Sequence, residues 1–383
     1  MIPYGRQHID DDDIDAVVDV LRSDFLTQGP RVPDFEQAVC AYVGARHGIA
    51  VNSATSALHI ACMALELGPG DVLWSPANTF LASANCARYC GADVDFVDVD
   101  ARTYNLSVSA LAAKLAEAEA AGRLPKVVVA VHFAGQSCDM QGIASLAKRY
   151  GFRVIEDASH AIGGRYQGQP IGDCRHSDIT VFSFHPVKIV TTAEGGLAVT
   201  NDDTLAERMG LARSHGMTRD PKLMVGESEG TWYYEQVTLG YNYRMTELQA
   251  ALGLQQMKSI DRFVARRHEL ARRYDQLLAG LPLRTPFQAP DNHSALHLYP
   301  VVLHDAARRR EVFDAMRATG VLVNVHYIPV YLQPYYQALG HRRGKCPQAE
   351  AYYAGAISLP LYFDLTDEQQ DEVVRHLARA LGR

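Results

Sequence analysis

The chain has 383 residues, 48% of them hydrophobic, with a formal net charge of −7 and a pI near 6.1. Length and apolar content imply two or three domains, or one large α/β domain with a smaller appendage, and exclude a disordered chain. No Lys/Arg block marks a nucleic-acid partner, and no apolar run approaches a membrane span. The acidic opening MIPYGRQHIDDDDID lacks the basic and apolar regions of a signal peptide, so the expected location is cytoplasmic.

In chain order, Ile14, Val17, Val18 and Leu21 recur at helical spacing and predict an amphipathic helix. Ile49 and Val51 form a short strand. A turn and a helix follow, burying Leu58, Ala61, Cys62 and Leu65 and stopping at Gly68-Pro69-Gly70. Next come strand DVLWSP, helix TFLASANCARYCGA, strand DVDFVDVD and helix VSALAAKLAEAEAAG. Strand KVVVAVHF, helix MQGIASLAKRYG and strand FRVIEDAS continue the series. Strand and helix alternate to residue 160, which predicts βαβ units in an α/β fold, with a mostly parallel sheet covered on both faces. The strands DITVFSFHP and GGLAVTND lie too close for a helical crossover, so at least one antiparallel pair is expected. From Thr246 to Leu281 the pattern reads as one long helical stretch. Beyond it, ALHLYPVVL, RREVFDAMRATG, VLVNVHYIP and DEQQDEVVRHLARAL form a separate α+β unit. The expected division is a large α/β domain over 1–257 and a small C-terminal α+β domain over 258–383. The seven cysteines show no CxxC pair and are expected to be reduced, with no disulfide or metal role.

Ligands of an open α/β sheet bind beyond the carboxyl ends of its strands, and four stretches put polar residues there. Asn52–Leu58 (NSATSAL) joins a strand to a helix N-terminus. Free N–H groups and the dipole suit it to a phosphate, although Ser53 or Thr55 can equally be a plain helix cap. Phe80 begins the next helix and is either a core aromatic or a ring that stacks on a flat cofactor. Glu156 and Asp157 end the strand of VIEDASH. A carboxylate there suits a protonated ring nitrogen, and a cap or a salt bridge is the plainer alternative. His160 follows within reach of the same ligand. In FSFHPVK, Ser183 and His185 share one strand face and lead to Lys188. That lysine is either a solvated strand-end amine or, in a shielded site, a nucleophile toward a carbonyl. Together these parts match the needs of pyridoxal 5′-phosphate (PLP): a phosphate cradle, a stacking ring, a pyridinium partner and a Schiff-base lysine.

NSATSALH, NTFLASANC, VIEDASHAIGG, SFHPVK…TTAEGG and LGYNYRMTELQAALGLQQ occur in order and together resemble the sugar-nucleotide aminotransferases of PLP fold type I, over nearly the whole chain. The resemblance implies that Lys188 carries the cofactor and Asp157 pairs with its ring nitrogen. It also implies that His160 contacts the ring-hydroxyl side, that Phe80 stacks, and that Ser53, Ala54, Thr55 and Ser183 hold the phosphate. Asn242 is implied to reach the phosphate in a neighbouring subunit, making a homodimer. Tyr4, the stretch Asp24, Phe25, Leu26 and Thr27, Ala54, Ser183, Arg244, and the stretch Asn324, Val325, His326 and Tyr327 are implied to line the sugar-nucleotide site. The implied reaction moves an amino group from L-glutamate to the 4-keto group of a UDP-linked 6-deoxy-hexose, with pyridoxamine 5′-phosphate between the half-reactions. Three alternatives stand beside this reading. A dehydratase of the same fold carries His in place of the lysine. An aminotransferase for a 3-keto or dTDP-linked sugar would share the catalytic set. A PLP-binding sensor would carry a DNA-binding segment, which the acidic N-terminus does not offer.

Overall fold

A computed structural model describes residues 1–383. Strand β1 (Ile2–Pro3) and helices α1 (Asp11–Leu21) and α2 (Arg31–Val43) open the chain. The expected alternation follows: β2 (His47–Val51), α3 (Ala54–Ala64), β3 (Val72–Pro76), α4 (Ala82–Tyr89), β4 (Asp93–Val97), α5 (Val108–Ala120), β5 (Val127–Val131), α6 (Met140–Tyr150) and β6 (Arg153–Asp157). A small hairpin, β7 (Arg165–Tyr166) and β8 (Gln169–Pro170), precedes β9 (Ile179–Ser183), β10 (Gly196–Thr200) and α7 (Asp203–Arg213).

The central sheet has the order β2-β10-β9-β6-β5-β3-β4. Only β10 runs against its neighbours, pairing antiparallel with both β2 and β9. Every residue of β5, β9 and β10 is buried, as strands covered on both faces must be. Their alternate side chains feed two cores. Val181 and Ala198 pack with Leu58, Ile60 and Cys62 of α3 on one face. Phe182, Leu197 and Val199 pack with Phe35, Val39 and Val43 of α2 on the other.

A second hairpin, β11 (Met217–Thr218) and β12 (Glu235–Gln236), leads to α8 (Glu247–Met257) and α9 (Ile260–Leu277). The helical stretch expected from Thr246 is therefore two helices. It breaks at Lys258–Ser259, where the N–H groups of both residues bond three residues back in tight turns. The apolar spacing runs straight through, since Met257 and Ile260 are both buried. What changes is the partner surface. Helix α8 lies against α1 and α2, and the Glu247 carboxylate accepts from the Arg31 and Val32 N–H groups at the start of α2. Helix α9 sends Leu270, Ala271 and Tyr274 into the C-terminal core.

The remaining elements are β13 (Leu283–Arg284), β14 (Asn292–His293), β15 (Tyr299–Leu303), α10 (Arg309–Ala318), β16 (Val321–Leu322), α11 (Pro334–Ala338), α12 (Pro347–Gly355), β17 (Ala356–Leu359) and α13 (Asp367–Ala380). β15 is the middle strand of an antiparallel β13-β15-β17 sheet. The expected strand VLVNVHYIP is only β16, which pairs parallel with β1, plus one bridge from Asn324 to Ser358. The rest of that segment leaves the sheet and lines the cavity described next. No helix is long and apolar enough to cross a membrane.

Candidate active site

One cross-strand row organises the site. Gly196 stands between Val51 on β2 and Ser183 on β9. Two residues after Val51 the chain turns into α3. Ser53 caps that helix, its Oγ accepting from the Ser56 N–H at 3.2 Å, so the plain capping reading holds. The first-turn N–H groups of Ala54 and Thr55 stay open at the positive end of an eleven-residue helix. A Cβ on residue 196 would stand 2.4 Å from the Ala54 nitrogen and 2.5 Å from the Ser53 carbonyl carbon. Only glycine lets β10 lie this close to the helix start.

Lys188 lies in the loop from β9 to β10, and the loop is tied at its neck. The Phe184 N–H donates to the Gly195 carbonyl, and the Thr192 N–H to the Phe184 carbonyl, both at 2.9 Å. Thr191 Oγ1 donates to the same Phe184 carbonyl at 3.1 Å. Burial lowers the Lys188 amine from its ordinary 10.5 to about 8, with the Asp157 charge pulling the other way.

The adjacent carboxylates at the end of β6 part company because a strand alternates its faces. Asp157 turns to the cavity. Ser83 Oγ donates to its Oδ2 at 2.6 Å, and the Ser159 N–H to its Oδ1 at 3.1 Å. Thr79 in turn pairs with Ser83 at 2.8 Å. Glu156 faces away, paired with His132 at 2.6 Å and accepting from Ser177 and Thr180. Only the aspartate is available to a ligand.

A cavity of about 420 Å³ collects these groups, within the range of small-molecule sites. Lys188, Asp157, His160 and Ser183 line it, as do Ser53, Ala54 and Thr55. Phe80 lies two residues before α4 rather than at its start and is 58% exposed at the cavity wall, with its ring centroid 6.3 Å from that of Tyr327. Tyr4, Asn324, Val325, His326 and Tyr327 complete the opposite wall. Asp24, Phe25, Leu26, Thr27, Asn242 and Arg244 do not line this chain's cavity. Thr27 bridges to Thr246, Asn242 to Ser214 and Arg244 to Val51, while Asp24, Phe25 and Leu26 are exposed. His185 is exposed at the rim, 4.0 Å from Glu194.

Sequence reasoning missed Ser83, Ser159 and His297. Ser83 reads as one small residue of a helix, and its link to Asp157 spans 74 positions. His297 reads as a polar residue in an expected strand.

The cavity holds its imidazoles neutral. Burial, and then the Lys188 charge, pushes His160 and His297 well below their ordinary 6.5, and His326 to about 3. The His160 tautomer follows from its partners. Nδ1 accepts from the Ala134 N–H at 3.3 Å, so Nε2 carries the proton and donates to Tyr327 Oη at 3.2 Å. Burial raises the Tyr327 phenol, which stays protonated and has its own O–H free to donate.

A shielded lysine, a hydrogen-bonded carboxylate and an open helix N-terminus at the strand ends of such a sheet define a fold type I, PLP-dependent aminotransferase. The chain belongs to the DegT/DnrJ/EryC1/StrS aminotransferase family, whose model matches residues 7–378. It is 39% identical over 379 residues to the spore coat polysaccharide biosynthesis protein SpsC of Bacillus subtilis, covering 97% of this chain and 95% of that protein. It is 36% identical over 369 residues to a UDP-4-amino-4,6-dideoxy-N-acetyl-β-L-altrosamine transaminase of Campylobacter jejuni, covering 95% and 93%. Among solved structures, Helicobacter pylori PseC, an aminotransferase of pseudaminic acid biosynthesis, superposes with a TM-score of 0.91 at 31% identity, covering 100% of this chain and 99% of that one. The PLP-form of Spr1654 from Streptococcus pneumoniae superposes with a TM-score of 0.90 at 30% identity, covering 100% and 98%.

The residues present fit PLP. The amine is deprotonated more readily than an exposed lysine, and the carboxylate already has its donors. The close approach at Gly196 keeps the helix start clear as a phosphate cradle.

Proposed function

We propose that this enzyme transfers the amino group of L-glutamate to the 4-keto carbon of a UDP-linked 2-acetamido-2,6-dideoxy sugar, in the making of pseudaminic acid or a related bacterial amino sugar. The observation that carries the reading is the cavity itself. Lys188 and Asp157 meet on one side of it, which suits the cofactor, and Tyr4, Asn324 and His326 put polar groups on the other, which suits a sugar's hydroxyls. The altrosamine transaminase relative, matched over 95% of this chain, supports the choice of sugar.

In this reading Lys188 holds PLP covalently through Nζ, Asp157 answers the ring nitrogen, and Phe80 covers a ring face. The Ala54 and Thr55 N–H groups and the Ser183 hydroxyl hold the phosphate. Bound there, PLP would supply the electron sink for transamination. Lys188 would take up and release the proton at Nζ; its lowered pKa suits it to that role. Ser83 and the Ser159 N–H keep Asp157 aimed. His160 and Tyr327 donate hydrogen bonds without adding charge. Asn242 serves the neighbouring subunit's phosphate in a cytoplasmic homodimer, with Arg244 and the Asp24–Thr27 stretch at the shared boundary.

The test offers glutamate with a panel of UDP- and dTDP-linked keto sugars and identifies the aminated product by mass and NMR. Amination of dTDP sugars alone overturns the assignment. A second reading, another keto-sugar nucleotide with a 3-keto or dTDP-linked substrate, draws on the 39% identity to SpsC, a spore coat polysaccharide biosynthesis protein.

A further inference from the structure

We propose that His297 is a binding residue of this cavity, a neutral imidazole that donates its Nε2–H to an oxygen of the molecule held beside Lys188. It rests on the reading of this cavity as the place where the amino group is passed. His297 is 4% exposed, lines the cavity with Lys188 and Asp157, and has its ring centroid 4.5 Å from that of His160. Of its two ring nitrogens, Nδ1 is sealed from solvent with no hydrogen-bond partner. Nε2 has no partner within the chain either but, unlike Nδ1, is not sealed, and the cavity that His297 lines is what it opens to. A proton on Nδ1 would be a buried donor without an acceptor, which folded proteins rarely tolerate. The proton therefore belongs on Nε2, where an oxygen acceptor in the cavity can take it. Burial and the nearby Lys188 keep the ring uncharged.

The surroundings fix this one side chain. Arg267, 2% exposed and in no ion pair, gives Nη1 to the carbonyls of Leu296 and His297 at 3.2 Å each and of Leu361 at 3.0 Å. Leu296, just before the histidine, has φ +50°, a strained left-handed backbone for a leucine. The Ser294 hydroxyl holds that backbone by accepting from the Leu296 N–H at 3.1 Å. On the far side Gly135 has φ +103°, and a Cβ there would stand 2.6 Å from the Leu296 nitrogen, 3.0 Å from that of His297 and 3.1 Å from the His160 carbonyl oxygen. A buried guanidinium, a left-handed leucine and a glycine-only approach all converge on His297, whose remaining free nitrogen faces the cavity.

The acceptor oxygen belongs either to the cofactor or to a substrate, and the experiment separates them. His297→Phe keeps a ring and removes the N–H, while His297→Gln keeps an N–H donor. Each variant is titrated with PLP in the cofactor-free form by visible absorbance. The loaded form is then titrated with L-glutamate, and KM is measured for the keto-sugar nucleotide. His297→Phe should weaken one of the three by about tenfold, the loss of one hydrogen bond, and His297→Gln should recover most of it. A response to PLP puts the oxygen on the cofactor, and a response to glutamate or the sugar puts it on that substrate. All three constants within about twofold of the parent, or a Gln variant as weak as the Phe variant, overturns the proposal. If His297→Phe does not fold, His297→Leu against His297→Gln gives the same comparison with the same overturning result. A parent that binds PLP but aminates no keto-sugar nucleotide sinks the substrate assignment alone, and the PLP and glutamate titrations then decide His297.

Discussion

Lys188→Met removes the ammonium but keeps an unbranched side chain of similar length, so little space is emptied. In the cofactor-free protein, burial holds the Lys188 amine at about 8 rather than its ordinary 10.5. The unfolded chain therefore binds this proton more tightly than the folded one. Below about pH 8 both states carry the charge, and the folded state bears the whole penalty. At about 1.4 kcal/mol per pH unit this is at most about 3 kcal/mol, since the side chain keeps part of its surface toward the cavity. Between pH 8 and 10.5 the folded state releases the proton and the penalty fades; above 10.5 it is gone. The variant should thus be more stable than the parent by up to about 3 kcal/mol near neutral pH, and the gain should shrink as the pH climbs toward 10.5. Denaturant titration of the two cofactor-free proteins, at neutral pH and again above the folded-state value, measures both effects. A variant no more stable at neutral pH, or a gain indifferent to pH, would refute burial of the charge as the source. Activity would have been kept at the expense of stability at a single side chain.

Three further outcomes are expected. Lys188→Ala should lose both the visible absorbance of the bound cofactor and all transamination, read by spectroscopy and product formation; full turnover in that variant would sink the mechanism. Ser83→Ala takes a 2.6 Å donor from Asp157 and should lower kcat by about tenfold or somewhat more, with KM for the sugar little changed. Gly196→Ala puts a methyl group against the Ser53–Ala54 backbone. It should destabilise the fold by about 1–3 kcal/mol and loosen PLP binding together, measured by melting and by cofactor titration.

The chain's local patterns were readable where one residue's type carries the information. Strand–helix alternation gave the parallel sheet, the short gap between DITVFSFHP and GGLAVTND gave the antiparallel strand, and the chemistry of Lys188 and Asp157 marked the cavity. What stayed hidden depends on approach between distant segments. Glu156 and Asp157 look equivalent until the strand's alternation is phased against the sheet. The break at Lys258–Ser259 has no Gly, Pro or loss of apolar spacing, because the change lies in what each helix packs against. His297 gains its meaning from Arg267 and Gly135, 30 and 162 positions away, and Ser83 from Asp157. Asp24, Phe25, Leu26, Thr27, Asn242 and Arg244 lie outside the cavity, and nothing in their residue types told them apart from those that line it.

The row Val51–Gly196–Ser183 joins two parts of the site. Lys188 sits in the loop that ends at Gly196, and the helix that would grip the phosphate begins against that same glycine with no side chain between them. The buried lysine's loop and the open helix start thus share one backbone contact. A substitution at Gly196 therefore disturbs the two together, since displacing β10 from the helix start also moves the end of the loop that carries Lys188.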